Sequence, residues 1–414
     1  MLDESLLDAP EALALADRRG LLRGAAEAGA RVRTAARHAA EAGIAELHPE
    51  GRPRAVLVAG PGTAAAGVAD LVGALAGAAA PVIRLAPTGV APAAGALRWA
   101  LPGWAGSVDL LLIPTTDGSE PGLSLLAEQA YRRGISVVAV APKTSPLAEA
   151  VGRSHGLLVP MAMAPHETVP EYGETLAASP GALWALFTPL LALLDRVGLV
   201  DAPPDALEQV ADRLDRTAER CGPAIATYGN PAKTLAAELA DSLPLIWTEG
   251  EAAGPAGRRF AAVLAELAGL PALAAELPEA MPAHGVLLAG DYAAGADPDD
   301  FFRDRVEEPQ ALRARVVLLR DRPTNRGRAN QPDGANPEGQ GPTGPTGPES
   351  PVDPETGALS AAPAARELAL GHGTAISELE PEEGTALEAL AELLAVTDFA
   401  AVYLSLASAG LSPR

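Results

Sequence analysis

The chain has 414 residues, which is enough for two ordinary domains. Its net charge of −22 argues against a nucleic-acid partner and against an anionic membrane surface, because both are recognised through Lys and Arg. The single cysteine, Cys221, excludes an intrachain disulfide and a cysteine-based zinc site.

The N-terminus and the apolar runs favour a cytoplasmic protein with no membrane partner. The first twenty residues are acidic and lack the apolar centre of a secretory signal. The longest apolar run, residues 183–194, is shorter than the roughly 20 residues of a membrane span.

The first half of the chain is predicted to form an N-terminal arm followed by an α/β domain. Residues 1–22 are predicted as an amphipathic arm, and residues 21–46 as a helix. Short apolar runs then alternate with helical segments, and a long apolar helix is expected at 182–197. The predicted strands are 55–60, 82–86, 108–113, 136–141 and 156–161. This alternation is typical of a doubly wound parallel sheet, and we assign the first domain to residues 23–200.

Two loops of this domain are candidate anion sites. Residues 59–67 (AGPGTAAAG) follow the first predicted strand, and residues 114–120 (PTTDGSE) follow the third. Glycines allow close approach of the backbone, and a helix N-terminus favours an anion such as phosphate. Tight turns and helix caps without any ligand explain the same residues. The loop 59–67 lacks the P-loop motif and a full dinucleotide-binding motif, so NAD is not predicted.

A second α/β domain is predicted for residues 204–414, after a linker at 201–204. A helix at 204–219 opens it, and residues 399–406 belong to its final helix. Its predicted strands are 224–228, 243–247, 284–290 and 314–320. Residues 321–362 are rich in Pro, Gly and Asn and nearly free of large apolar side chains, so we expect a disordered insertion there.

Residues 225–290 carry a family resemblance. The motif NPAK at 230–233, the run LPLIW at 243–247, the Arg258-Arg259 pair and the segment AELAGLPALAAELPE resemble the bifunctional phosphoglucose/phosphomannose isomerases. That family is built from two sugar isomerase (SIS) domains of flavodoxin-like α/β fold. The resemblance implies a homodimer that needs no cofactor and acts on sugar phosphates. No metal site is predicted, because no histidine pairs with another or with carboxylates at ligand spacing.

The resemblance also implies roles for individual residues. Glu266 falls on the family base that moves a proton between C1 and C2 of the sugar. In the loop at 114–120, Thr116 and Ser119 fall on phosphate-binding hydroxyls, with Thr115 as a further hydroxyl. Gly62-Thr63 falls near a family serine that contacts the sugar.

Two further positions are weaker matches. His284, two positions after the place of the family histidine, would open the sugar ring, and Thr385 matches a small hydroxyl near the family site. Alternative explanations stay open, because Glu266 also suits a solvated helix face, His284 a loop and Thr385 a helix cap.

Departures from the family pattern leave two functions open. Ala265, Leu267 and Gly269 replace two asparagines and a lysine of the family motif, and Asp117 and Glu120 add negative charge to the phosphate loop. One function is an isomerase that converts mannose 6-phosphate or glucose 6-phosphate into fructose 6-phosphate through a cis-enediol. The other is a catalytically degenerate SIS protein that binds sugar phosphates as a sensor or partner subunit, and a purely structural scaffold is a third interpretation.

Overall fold

The computed structural model describes residues 2–89, 95–161, 179–290, 292, 312–321 and 360–408. Helices and parallel strands alternate along most of this chain. The helices are α1 (Glu4–Leu7), α2 (Pro10–Ala16), α3 (Leu21–Ala26), α4 (Ala28–Glu41), α5 (Gly62–Ala76), α6 (Pro121–Arg132), α7 (Pro146–Arg153), α8 (Ala182–Arg196), α9 (Pro204–Arg220), α10 (Pro231–Leu239), α11 (Ala253–Val263), α12 (Ala280–Ala289), α13 (Ala362–Gly371) and α14 (Ala386–Ser408). The strands are β1 (Val56–Ala59), β2 (Val82–Leu85), β3 (Leu110–Pro114), β4 (Ser136–Ala141), β5 (Leu157–Pro160), β6 (Ser242–Glu249), β7 (Leu273–Glu276), β8 (Arg313–Arg320) and β9 (Ile376–Leu379).

The strands form two parallel sheets, which confirms the predicted α/β fold. The first sheet has the order β2-β1-β3-β4-β5, and the second has the order β7-β6-β8-β9. In each sheet the chain starts in the interior, moves to one edge and then returns past its start. This doubly wound order leaves a crevice at the carboxyl ends of the strands where the winding direction changes.

A continuous apolar core joins the two sheets. α4 packs against both α8 and α9, and α14 packs against α9, α10 and α11. In the described part of the chain α14 is the one helix long and apolar enough to cross a membrane, and 94% of its most apolar window is buried within the protein. It is therefore the central helix of the second domain's core.

The family motif NPAK has a structural role. The Asn230 side chain caps α10 by accepting from the backbone N–H groups of Ala232 and Lys233, both at 3.1 Å. The buried Lys233 ammonium donates to the carbonyls of Pro223 and Ile225, and it lies 5.4 Å from the centre of the Tyr403 ring. These contacts fix the segment before α10 against the core.

Several predicted elements are wrong. Residues 224–228, predicted as a strand, lead into a 3-10 turn, because Lys233 holds the Ile225 carbonyl. The segment 284–290 was also predicted as a strand, but it forms the last part of α12 as far as Ala289. β7 lies where a loop was expected, and the predicted helix 21–46 is divided into α3, α4 and a 3-10 turn. Most of the predicted 321–362 insertion lies outside the described residues.

Candidate functional site

The crevice of the first sheet lies between β1 and β3. The loop after β1 and the end of β3 touch here, because a Cβ at Gly60 would collide with the Pro114 carbonyl oxygen. Only glycine allows this approach. The first turn of α5, with Gly62 and Thr63, therefore lies beside the loop 115–119, so the two predicted anion loops share one crevice.

A side chain from the second domain reaches this crevice. The Thr63 hydroxyl donates to Oε2 of Glu266 at 2.9 Å, although 203 residues separate them in sequence. Glu266 is exposed and Thr63 is half-buried, so the contact lies at the protein surface. Two residues that the sequence predicted for one site are thus in direct contact across the two domains.

The backbone around Glu266 is a π-helical turn, Leu264–Ala268, that extends α11. Such turns are rare and are frequent at functional sites. Gly269, which replaces the family lysine, ends the turn with a φ of 64°. The turn is fastened to α14, because Ser405 Oγ donates to the Leu267 carbonyl at 2.7 Å.

The loop after β3 folds around the carboxylate of its own residue Asp117. Asp117 accepts from the Ser119 backbone N–H at 3.1 Å, from the Ser119 hydroxyl at 2.9 Å and from the buried Thr115 hydroxyl at 3.4 Å. Thr115 also accepts from the Gly118 N–H at 3.1 Å. Thr116 is half-buried, and within the described part of the chain its hydroxyl has no hydrogen-bond partner. Two of the three predicted hydroxyls are thus engaged by Asp117, and the third is free for a ligand.

Lys143 is a residue that sequence reasoning missed. It is exposed in the segment that joins β4 to α7, and this segment packs on the same loop. The Leu147 N–H donates to the Gly118 carbonyl at 3.1 Å, and a Cβ at Gly118 would lie 2.5 Å from Ser145 Oγ. Within the described residues Lys143 makes no ion pair. The rarity of lysine could have drawn attention to Lys143, because the chain holds only two lysines. The other one, Lys233, is buried.

The structure does not bring His284 to this crevice. His284 lies on α12, is only 8% exposed and accepts a hydrogen bond at Nδ1 from the Trp247 indole N–H at 2.9 Å. Burial lowers the pKa of this imidazole. α12 packs on the face of the second sheet that carries Trp247, whereas α11 and Glu266 belong to the opposite face, with Ile246. The predicted position of His284 in a loop is wrong, since it is a core residue.

Thr385 is also distant from Glu266. Its hydroxyl accepts from the Glu388 N–H, and Glu388 in turn accepts from the Thr385 N–H, so the pair forms a capping box at the start of α14. Ser405, near the other end of this helix, contacts the turn that carries Glu266. Twenty residues of helix separate Thr385 from Ser405, which corresponds to about 30 Å. The alternative interpretation of Thr385 as a helix cap is the one the contacts support.

The crevice of the second sheet is filled by the protein itself. It lies between the ends of β6 and β8, where Asp321 accepts from the Ala252 N–H at 2.7 Å, just before α11. A Cβ at Gly250 would overlap Asp321 Oδ1, so the carboxylate takes the space where an anionic ligand would bind. Burial raises the pKa of Asp321. The first crevice is therefore the better candidate for a ligand site.

Comparison with protein families supports the resemblance seen in the sequence. Residues 229–331 match the model of the bacterial phospho-glucose isomerase C-terminal SIS domain. A comparison with the curated proteins found no match.

Solved structures share the fold over nearly the whole chain. A hypothetical protein from Thermus thermophilus is 14% identical with a TM-score of 0.60, over 97% of this chain and 89% of that one. A proposed phosphosugar isomerase from Silicibacter pomeroyi is 16% identical with a TM-score of 0.53, over 94% and 98%. The C-terminal domain of glucosamine-fructose-6-phosphate aminotransferase from Francisella tularensis is 11% identical with a TM-score of 0.51, over 94% and 96%. At these identities the likeness concerns the fold alone.

Proposed function

We propose that this chain, a member of the SIS-domain phosphoglucose isomerase family through its second domain, interconverts an aldose 6-phosphate and a ketose 6-phosphate. Mannose 6-phosphate or glucose 6-phosphate would give fructose 6-phosphate. The observation that carries the proposal is the contact between Thr63 and Glu266 at the crevice of the first sheet. We further propose a cytoplasmic homodimer that works without a metal or cofactor.

Glu266 is the proposed base. Its carboxylate removes the proton from C2 of the open-chain aldose while O1 takes a proton from water, which gives a cis-enediol. The protonated Glu266 then gives its proton to C1 while the C2 hydroxyl releases its proton to water, which forms the ketose. The Thr63 hydroxyl holds Oε2 and leaves Oε1 for the substrate. A positioned carboxylate of this kind contributes typically about 100- to 10,000-fold to a proton transfer.

The phosphate is proposed to bind at the loop 115–119. The Thr116 hydroxyl is available, and the Ser119 hydroxyl becomes available when Asp117 turns away. Lys143 supplies the positive charge for the phosphate, because the loop 115–119 has no basic side chain of its own. Because His284 is buried on the other face of the second sheet, ring opening is left to the sugar in solution, and we expect slow turnover limited by its open-chain fraction.

A binding protein without catalysis is the second candidate. The arrangement of Asp117 favours it, because this carboxylate takes donors that a phosphate would use and repels a dianion. In that case the crevice holds a sugar phosphate weakly, and Glu266 orients it without transferring a proton.

A coupled assay separates the two candidates. Purified protein is tested with mannose 6-phosphate and glucose 6-phosphate beside Glu266→Gln, Thr63→Val and, as a control, Glu149→Gln on the exposed side of α7. We expect turnover in the unaltered protein and the control, a loss of at least about 100-fold in Glu266→Gln and a partial loss in Thr63→Val.

Identical preparation of all variants controls for contaminating host isomerases. Turnover that survives in Glu266→Gln would refute the assigned base. No turnover, combined with thermal stabilisation by either sugar phosphate, would establish the binding protein instead.

A further inference from the structure

Within the described residues, two side-chain hydrogen bonds join α5 to α11 and its π-helical extension, and the contact between Thr63 and Glu266 is the first. Seven residues after Thr63 on α5, Asp70 accepts from Arg258 Nε of α11 at 3.0 Å. Arg258 precedes Glu266 by eight residues. Both spacings correspond to about two helical turns, or about 11 Å, so the two contacts lie in register on an antiparallel helix pair.

The two helices also approach each other between these two contacts. At Gly67, midway along α5, a Cβ would lie 3.7 Å from the Arg259 Cδ. Arg259 is itself fixed within the second domain, because its Nη2 donates to both carboxylate oxygens of Asp398 on α14 at 2.8 Å. α11 is therefore fastened to its own domain, and α5 is the helix of the first domain that it meets directly.

An open cleft of about 450 Å³ lies beside the Arg258 end of this helix pair. α5 and β2 of the first domain line one side, and the start of α11 and the end of β7 line the other. Among the residues that line the cleft, Arg258 hydrogen-bonds to both sides. Its Nε donates to Asp70, and its Nη1 donates to Glu276 at the end of β7. Its two bonds therefore link α5 to β7 across this edge of the joined core.

We infer that Arg258 is a positioning residue, and that its ion pair with Asp70 sets the register of α5 on α11 and so holds Glu266 against Thr63. The inference rests on the proposed function. Both side chains are about two-fifths exposed, and isolated pairs of this kind add little to stability, so their loss should change geometry more than folding.

Kinetics of matched variants test this role. Asp70→Asn removes the ion pair between the domains, and Asp70→Glu keeps the negative charge. Glu276→Gln removes only the ion pair that Arg258 makes within the second domain. We expect kcat to fall about tenfold in Asp70→Asn with KM changed less than about twofold, because small misplacements of a reacting group are costly. Asp70→Glu should recover most of kcat, and Glu276→Gln should match the unaltered protein. An unchanged kcat in Asp70→Asn, or an equal loss in Glu276→Gln, would overturn the inference.

A distance measurement tests the same idea without turnover. Spin labels are placed on Leu125→Cys of α6 and Val286→Cys of α12, which are exposed positions in the first and second domains. The native thiol does not interfere, because Cys221 is fully buried and its pKa is raised to about 12. We expect one narrow distance distribution that broadens with Asp70→Asn and stays narrow with Glu276→Gln.

The two readouts separate the failure of this inference from the failure of the proposed function. Broadening in a protein that has no isomerase activity would support Arg258 as the residue that sets the domain register while refuting the isomerase. A distribution that Asp70→Asn leaves unchanged would refute the role of Arg258, whatever the activity.

Discussion

Replacing Asp117 by Asn should strengthen the binding of a sugar phosphate. The Asp117 carboxylate accepts three hydrogen bonds from Thr115 and Ser119, so it lies where a phosphate would find its donors. The amide in Asp117→Asn keeps an oxygen that accepts from Ser119 when no ligand is bound, but the negative charge is gone. The variant therefore changes the electrostatics of the loop more than its conformation.

The size of the effect follows from Coulomb's law. A phosphate held by Ser119 would lie about 4 Å from the Asp117 carboxylate, and two unit charges at this distance interact by about 1 kcal/mol in water. Asp117 is exposed, so the value for water applies. A dianion doubles the repulsion to about 2 kcal/mol, which corresponds to about thirtyfold in Kd.

Isothermal titration with fructose 6-phosphate measures this change. Asp201→Asn, an equivalent change at an exposed site in the linker, serves as the control and should leave Kd unaltered. The gain should shrink in about 1 M salt, where the Debye length is about 3 Å. Equal or weaker binding by Asp117→Asn would show that the phosphate does not bind at this loop.

Three further predictions concern single side chains. Lys143→Gln should weaken fructose 6-phosphate binding about fivefold by titration and Lys143→Arg should not, because loss of an exposed positive charge near a phosphate costs about 1 kcal/mol. Burial lowers the pKa of His284, so the unfolded state takes up a proton as pH falls below about 6.5 and stability is lost towards acid. Urea unfolding at about pH 7 and about pH 5 should show this loss, with a smaller loss in His284→Gln, and an equal loss would contradict the assignment. Lys233→Met leaves two carbonyls without their donor and should lower the free energy of unfolding by about 3 kcal/mol, whereas Lys143→Met should leave it unchanged.

The sheets were largely predictable because buried parallel strands have a simple signal. β1, β3 and β4 are apolar runs near turn residues, and the order of the strands along the chain implies the winding. Residues 284–290 gave the same signal and form a helix. An apolar run of this length does not distinguish a buried strand from a helix that covers a sheet.

The candidate site was predictable only in its parts. Thr63 and Glu266 each followed from the family resemblance, but their contact depends on how α5 packs on α11, which no local pattern encodes. Lys143 was missed because its position beside the loop 115–119 depends on the packing of that loop against the start of α7. The hydrogen bond that places His284 in the core comes from Trp247, a residue on a strand 37 positions away.

The contacts of NPAK separate the residues that carry the family resemblance from those of the proposed chemistry. Asn230 and Lys233 fasten a helix and a loop to α14, while the proposed reacting groups lie on other elements. A relative could therefore lose its catalytic side chains and still be recognised by this motif. The two positions where the resembling family carries asparagines, the exposed Ala265 and the buried Leu267, take no part in the side-chain contacts of NPAK and are open to substitution by asparagine.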